Sequence, residues 1–176
     1  MYVKRVHFLL RYSDKLASGS DTLAEHRAII ESNGCVWLGK FGIGMSSRFA
    51  ELAINQIRMK QPCFLYLMHG SKLTAKSNII DIATAGTNRG EIPSREPNLT
   101  PFYYRSRKCS VWFKLDTMDD INNEEIKKLW LYNNPASHPS LVGMRGLIYL
   151  TPDNSKTELN VKGDLKPSIY TEGFFD

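Results

Sequence analysis

The sequence predicts an α+β domain built on a curved, mixed or mostly antiparallel sheet, either open or closed as a barrel. Strand-like apolar runs outnumber helical patterns along the 176 residues. The two clear helical patterns come early, whereas the later strands are joined by loops. A doubly wound fold would alternate strands and helices throughout the chain, so the order of elements argues against it.

The first half of the chain alternates strands with helices. In order, the predicted elements are a strand in "VHFLLRY", a helix that begins at Ser20 or Asp21 and ends at Gly34, a strand in "CVWLGKF", and a helix that begins at Ser46 or Ser47 and stops before Pro62. The helix boundaries rest on capping residues and on the proline, which disfavours helix before it. The glycines Gly39, Gly42 and Gly44 either let the backbone approach a ligand closely or form a twisted turn.

The second half contains mostly strands. The predicted elements are strands in "CFLYLMHG", "NIIDIATAG" and "CSVWFKLDTM", a short helix in "NNEEIKKLWLY" and a last strand in "LVGMRGLIYL". The polar segment between Gly86 and Pro101 is long enough to predict a functional loop. Residues 1–150 are assigned to one domain, and residues 151–176 to a C-terminal covering segment or linker.

The charges and the apolar runs of the sequence narrow the range of partners and locations to consider. The net charge of +5 permits a polyanionic partner without establishing one. Residues 102–114 contain basic but no acidic side chains, and acidic residues follow, which predicts either a one-sided field or an ordinary solvated surface. No apolar run approaches the roughly 18 residues of a membrane span, and the N-terminus is typical of a strand rather than a signal peptide, so a cytoplasmic location is expected.

Motifs for catalysis and metal binding are missing. The three cysteines form no CxxC pair, and no HExxH, P-loop or GxSxG pattern occurs. We therefore expect no metal, no cofactor and no enzymatic activity in this chain. Any catalysis is expected in other domains or subunits of the full-length protein.

The motifs in their order resemble the PUA-like superfamily, and most of all its EVE and YTH branches. The resemblance is carried by "FLLRYS" before a helix, by "NGCVW", by the hairpin "CFLYLMHGSKLTAKSNIIDIA", by "VWFKLDTM" and by "NNPASHPSLVGMRG". It implies a small mixed barrel, flanked by helices, that binds nucleic acid and holds a modified base in an aromatic cage. Such domains are often found at the N-terminus of McrB-type restriction proteins, which implies restriction GTPase or nuclease machinery as the partner.

The resemblance also implies which residues form the site. Trp37 matches the first cage tryptophan of the family; its alternative is a core residue of the strand. The family's second cage tryptophan is replaced here by the segment Phe102–Tyr104. The base-binding residues implied are Ser13, Trp37, Leu38, Tyr103 and Tyr104. The phosphate-binding residues implied are Arg11, Lys40, Arg105, Arg107 and Arg145.

Four functional hypotheses follow. The first is a non-catalytic module that binds DNA, through a modified or flipped base, and targets a restriction-type complex. The second is an RNA-binding module that reads a methylated base. The third is a small nucleotide-acting enzyme of the ASCH type, for which Lys40, Lys114 and Asp116 could supply the reactive cluster. The fourth is a protein-interaction domain that uses the loop 86–105.

Overall fold

The computed structural model describes residues 3–15, 19, 21–87, 89–143 and 146–154. The strands are β1 His7–Arg11, β2 Val36–Lys40, β3 Phe64–His69, β4 Lys72–Thr84, β5 Ile92–Pro93, β6 Lys108–Cys109, β7 Val111–Leu115, β8 Asp119–Asp120, β9 Trp130–Leu131 and β10 Leu147–Thr151. The helices are α1 Thr22–Asn33, α2 Ser47–Arg58 and the one-turn α3 Phe102–Arg105, with 3₁₀ helices at Pro97–Leu99 and Asn123–Lys128. None of the described helices has the length and apolar character that crossing a bilayer requires.

The strands form one large mixed sheet. Its order is β2-β7-β4-β3-β1-β10-β9, with β8 attached to β4, while β5 and β6 form a separate two-stranded sheet. β1 and β3 are parallel, and the other described ladders are antiparallel. The predicted α+β class with a mixed sheet is confirmed. β2 and β9 lie at the two ends of this order, and no described ladder joins them into a closed barrel.

α1 begins and ends where its capping residues predict, and α2 begins after a predicted cap and ends at Arg58, before Pro62. Asp21 is the N-cap of α1, and its carboxylate accepts a hydrogen bond from the backbone N–H of Ala24 at 3.0 Å. Gly34 closes this helix with a φ of 89°, a left-handed conformation that suits glycine. Ser46 is the N-cap of α2, although its side chain makes no capping hydrogen bond. Both helical predictions are confirmed.

Some later elements differ from their predictions. The strand predicted at residues 78–86 is the second half of the longer β4, because the chain reverses from β3 to β4 within a tight turn that contains Gly70 at a φ of 62°. The last strand begins at Leu147 instead of Leu141. The short helix that Asn122 caps has 3₁₀ rather than α geometry. Residues 155–176, in the predicted covering segment or linker, lie outside the described residues.

Both faces of β1 and β2 are buried, so alternate side chains enter different clusters. Phe8 and Leu10 of β1 and Leu38 of β2 belong to the main core. Trp37 points to the other face of β2 and belongs to a second cluster with Trp112. This double burial explains the continuous apolar runs in the sequence, which show no alternation between polar and apolar residues.

Gly39 allows close packing on the second face of β2. A Cβ atom at this position would lie 2.6 Å from Sγ of Cys109 and 2.7 Å from Cζ3 of Trp112. The space that this glycine leaves is therefore filled by protein side chains. We expect Gly39→Ala to lower the free energy of unfolding by about 1–3 kcal/mol, measured by urea denaturation.

A matched control for this substitution is Ser71→Ala in the exposed β3–β4 turn, which we expect to change the free energy of unfolding by less than about 0.5 kcal/mol. If Gly39→Ala changed stability no more than this control, the packing role of Gly39 would be wrong.

Candidate functional site

A cavity of about 250 Å³ lies between the C-terminal ends of β1 and β2, two strands that are not neighbours in the sheet. We call it the β1–β2 cavity. The residues that line it are Leu10, Arg11, Tyr12, Ser13, Leu38, Gly39, Lys40, Phe41, Tyr104 and Gly146. Its volume is just below the roughly 300–1,000 Å³ of sites for drug-sized molecules, so it suits a single small ring system.

Strand alternation decides which side chains reach this cavity. In β1, Leu10 lies on the main-core face, and Tyr12 continues that face just past the strand. In β2, Leu38 and Lys40 share the main-core face in the same way. At the C-terminal ends of these two strands, aromatic and polar side chains therefore follow the apolar residues of the main core.

Lys40 brings a buried positive charge to the cavity. Its side chain is only 7% exposed, and Nζ donates hydrogen bonds to the carbonyl oxygens of Phe41 at 2.8 Å and Ile43 at 2.5 Å. Within the described part of the chain, no carboxylate forms an ion pair with it. Burial lowers the pKa of Lys40, because desolvation disfavours the charged form.

Aromatic rings of Tyr12, Phe41 and Tyr104 form much of the wall. Tyr12 stacks on His69 with ring centroids 5.2 Å apart and an interplanar angle of 29°. Phe41 stacks on Tyr104 with centroids 5.5 Å apart and an angle of 27°. Burial raises the pKa of Tyr104, which keeps its phenol neutral at physiological pH. These contacts restrict the orientations of the rings.

Two exposed arginines lie at or beside the cavity, one in its lining and one next to the ring of Phe41. Arg11 is exposed, lines the cavity, and has no ion pair with any described residue. The guanidinium carbon of Arg107 lies 5.7 Å from the centroid of the Phe41 ring. The nearest acidic residue in sequence, Asp14, lies 3.5 Å from Nε2 of His69. The rim therefore offers exposed cations to a polyanion.

Trp37 does not offer a free face, which corrects the expectation that its ring lines an accessible hollow. The residue is 1% exposed and lies on the face of β2 opposite Leu38 and Lys40. Its indole Nε1 donates a hydrogen bond to Oε1 of Glu96 at 3.0 Å. Lys114 Nζ lies 2.8 Å from the same oxygen. In this structure Trp37 is a core residue.

The same contacts hold in place the segment between Gly86 and Pro101, which was predicted to be a functional loop. Besides the bond from Trp37 to Glu96, Nε1 of Trp112 donates to the carbonyl oxygen of Ile92 at 2.8 Å. Hydrogen bonds from Lys114 and Trp37 lower the pKa of Glu96, so its carboxylate stays charged. The segment thus packs over the second face of β2 and β7 and supports the strand that carries the site.

The structure brings together part of the predicted set. The residues that line the cavity as a group are Arg11, Ser13, Leu38, Lys40 and Tyr104. Tyr103 is buried next to Tyr104, with ring centroids 4.9 Å apart. Arg105 is exposed, and its Nε donates to the carbonyl oxygen of Thr100 at 2.9 Å. Arg145 lies outside the described residues.

Sequence reasoning missed Tyr12 and Phe41 as wall residues. Each is an aromatic residue that directly follows the last residue of a strand, after "FLLR" and after "VWLGK". That position, one step beyond a buried strand, is a signal that could have identified them. Gly146 lies within the run that was predicted as the last strand; it has a φ of 73° and lines the cavity.

Comparisons with known proteins agree with the architecture. A family model described as Pua-like matches residues 8–144. This range runs from β1 past β9 and includes nearly all residues that line the β1–β2 cavity. A comparison with curated proteins found no match. Domains of the matched kind are generally nucleic-acid-binding modules. The chain belongs to the PUA-like family.

Proposed function

We propose that this chain is a non-catalytic nucleic-acid-recognition module that takes one flipped base into the β1–β2 cavity. The observation that carries the proposal is a cavity of single-ring-system size with aromatic walls and an arginine rim. Flipping a base out of a stack costs a few kcal/mol. Stacking on an aromatic side chain contributes roughly 1–3 kcal/mol per base, which offsets much of that cost.

Each part of the site has its own role in this proposal. Tyr12 and Phe41 provide the stacking walls, in place of Trp37. Ser13 at the rim forms hydrogen bonds to the base edge. Arg11 and Arg107 hold phosphates, which supplies affinity but no sequence information. Further phosphate contacts, proposed from the sequence alone, come from Arg105 and Arg145.

DNA is proposed over RNA, and a modified base over an unmodified one. The support is the resemblance of the sequence motifs to EVE and YTH domains of McrB-type restriction proteins. A methyl group on the base would add about 0.8 kcal/mol when buried. The module would then target a restriction GTPase or nuclease, and catalysis would belong to that machinery. An RNA-binding module that reads a methylated base is the alternative within the same class.

A second candidate, a small nucleotide-acting enzyme, is favoured by one observation. Lys40 is a buried lysine with a lowered pKa beside a cavity, which is typical of reactive lysines. Its expected partners lie elsewhere: Lys114 pairs with Glu96, and Asp116 accepts a hydrogen bond from Asn78. The described lining contains no carboxylate to act with Lys40. Binding without catalysis is therefore preferred, and turnover of modified nucleosides would support the enzyme.

Titrations with matched oligonucleotides test the proposed function. Duplexes that are unmodified or contain N6-methyladenine, 5-methylcytosine or 5-hydroxymethylcytosine are compared with single strands and RNA by fluorescence anisotropy at several salt concentrations. We expect affinity to fall as salt rises, because bound phosphates release counterions. Arg11→Ala should weaken all ligands alike and reduce the log–log salt slope by about 0.7–0.9 for the lost phosphate contact.

The control for Arg11→Ala is Arg58→Ala, which removes an exposed arginine from the C-terminal end of α2 and should leave affinity unchanged. Absence of binding to every nucleic acid, or binding that does not depend on salt, would overturn the proposal.

A further inference from the structure

Lys40 puts one ammonium group into a wall that is otherwise largely apolar and aromatic. An ammonium group has three N–H donors. Two of them bind the carbonyl oxygens of Phe41 and Ile43. The third has no acceptor among the described residues, and Lys40 lines the cavity. One donor of this buried cation is thus without a protein acceptor among the described residues, in a side chain that borders the cavity.

Because of this geometry, the affinity of the cavity depends on whether a ligand presents a hydrogen-bond acceptor or a donor to Nζ of Lys40. A buried charge is costly unless hydrogen bonds satisfy it, and here neutral carbonyl groups satisfy it only in part. A ligand with an acceptor facing Nζ completes the set of hydrogen bonds. A ligand with an N–H donor at that point leaves two donors opposed, and sites of this type reject such analogues strongly.

The rest of the lining indicates that the ligand part facing Lys40 belongs to a base. Leu10, Leu38 and the aromatic rings offer apolar surface that a bare phosphate group cannot use. A positively charged base is disfavoured, because the ammonium would repel it in a site of low dielectric constant. The ligand is therefore a neutral ring system with acceptors on its edge.

Building on the proposed function, we propose that Lys40 makes the β1–β2 cavity selective for a 6-oxopurine such as guanine over a 6-aminopurine such as adenine. A 6-oxopurine presents two acceptors, O6 and N7, side by side, and the selective contact is the one that the free N–H of Lys40 makes to O6, because adenine also has N7. Adenine presents an amino group beside N7, so its N–H donors face the ammonium. The modified bases considered above, N6-methyladenine, 5-methylcytosine and 5-hydroxymethylcytosine, all carry an exocyclic amino group, so this inference makes an oxopurine the captured base in their place.

The test uses single strands of identical sequence with one variable central position. That position carries hypoxanthine, adenine or an abasic sugar; hypoxanthine has a carbonyl at position 6 and an N–H at N1, where adenine has an amino group and an unprotonated N1. Wild type, Lys40→Met and Arg11→Ala are titrated with all three strands. Lys40→Met keeps an unbranched side chain that is one atom shorter and removes its charge, and a thermal melt checks that this variant is folded.

We expect wild type to bind the hypoxanthine strand about tenfold more tightly than the adenine strand. Lys40→Met should bind the two strands equally, and Arg11→Ala should weaken both while keeping their ratio. Equal binding of the two strands by wild type would overturn the inference, whatever the state of the Lys40 variant. A preference that survives in Lys40→Met would also overturn it.

The abasic strand separates this inference from the proposed function. If Lys40→Met weakens the abasic strand as much as the hypoxanthine strand, Lys40 binds phosphate and the inference is wrong. If wild type binds both base-containing strands equally but more tightly than the abasic strand, base capture stands and only the selectivity fails. If no strand binds, the proposed function itself fails.

Discussion

Trp37→Ala is expected to lower the free energy of unfolding by about 3–5 kcal/mol, the usual loss when a large aromatic side chain is removed from a core. The residue is 1% exposed and packs in a cluster with Trp112 and Tyr104. The substitution also leaves the carboxylate of Glu96 without its indole donor. Urea denaturation of purified wild type and variant measures the effect.

Two further variants decide between a core role and a ligand role for this ring. Trp37→Phe keeps most of the buried ring, so it should be destabilised less and should bind nucleic acid as wild type does. Phe102→Ala removes a ring that is 65% exposed and should change stability by less than about 0.5 kcal/mol. A stability loss below about 1 kcal/mol for Trp37→Ala, together with lost binding, would indicate that Trp37 contacts the ligand and is not mainly a core residue.

Tyr12→Ala is expected to weaken binding of base-containing strands by about 1–3 kcal/mol, or roughly 5- to 150-fold. Tyr12 lines the cavity, is half-buried, and is held in place by its stacking on His69. Removing its ring takes away one stacking wall but leaves the arginine rim. Affinity for the abasic strand, which has no base to stack, should therefore stay near the wild-type value.

The matched control is Tyr12→Phe, which keeps the ring and removes only the hydroxyl group. We expect this variant to bind like wild type if stacking is the source of affinity. If Tyr12→Ala bound the base-containing strands as tightly as wild type, Tyr12 would not be a wall of the base site. If both variants lost affinity equally, the hydroxyl group rather than the ring would carry the contact.

Elements with strong local signals were predictable. The N-cap Asp21 and the left-handed Gly34 mark the ends of α1, because a helix needs partners for its terminal backbone groups. The apolar runs around Phe8 and Trp37 predicted strands for a different reason, because a strand that is buried on both faces needs apolar residues along its length. Shorter elements such as β8 were missed, because a two-residue strand exists only where a partner strand aligns with it.

Site residues were predictable only in part. Arg11, Ser13 and Lys40, which were predicted as site residues, line the β1–β2 cavity together. For Trp37 the sequence left a cage role and a core role open, since a strand buried on both faces has no polar alternation to show which side chains face the cavity. In such a strand, only the packing against neighbouring strands assigns the faces.

From the sequence alone came the α+β class, the two capped helices and the PUA-like resemblance, because capping, proline stops and apolar runs act over a few neighbouring residues. Tertiary structure alone decided that Tyr12 and Phe41 form the walls and that Trp37 is enclosed. The physical reason is the curvature of the sheet: it brings together the ends of β1 and β2, which are not paired, and no local pattern encodes that approach.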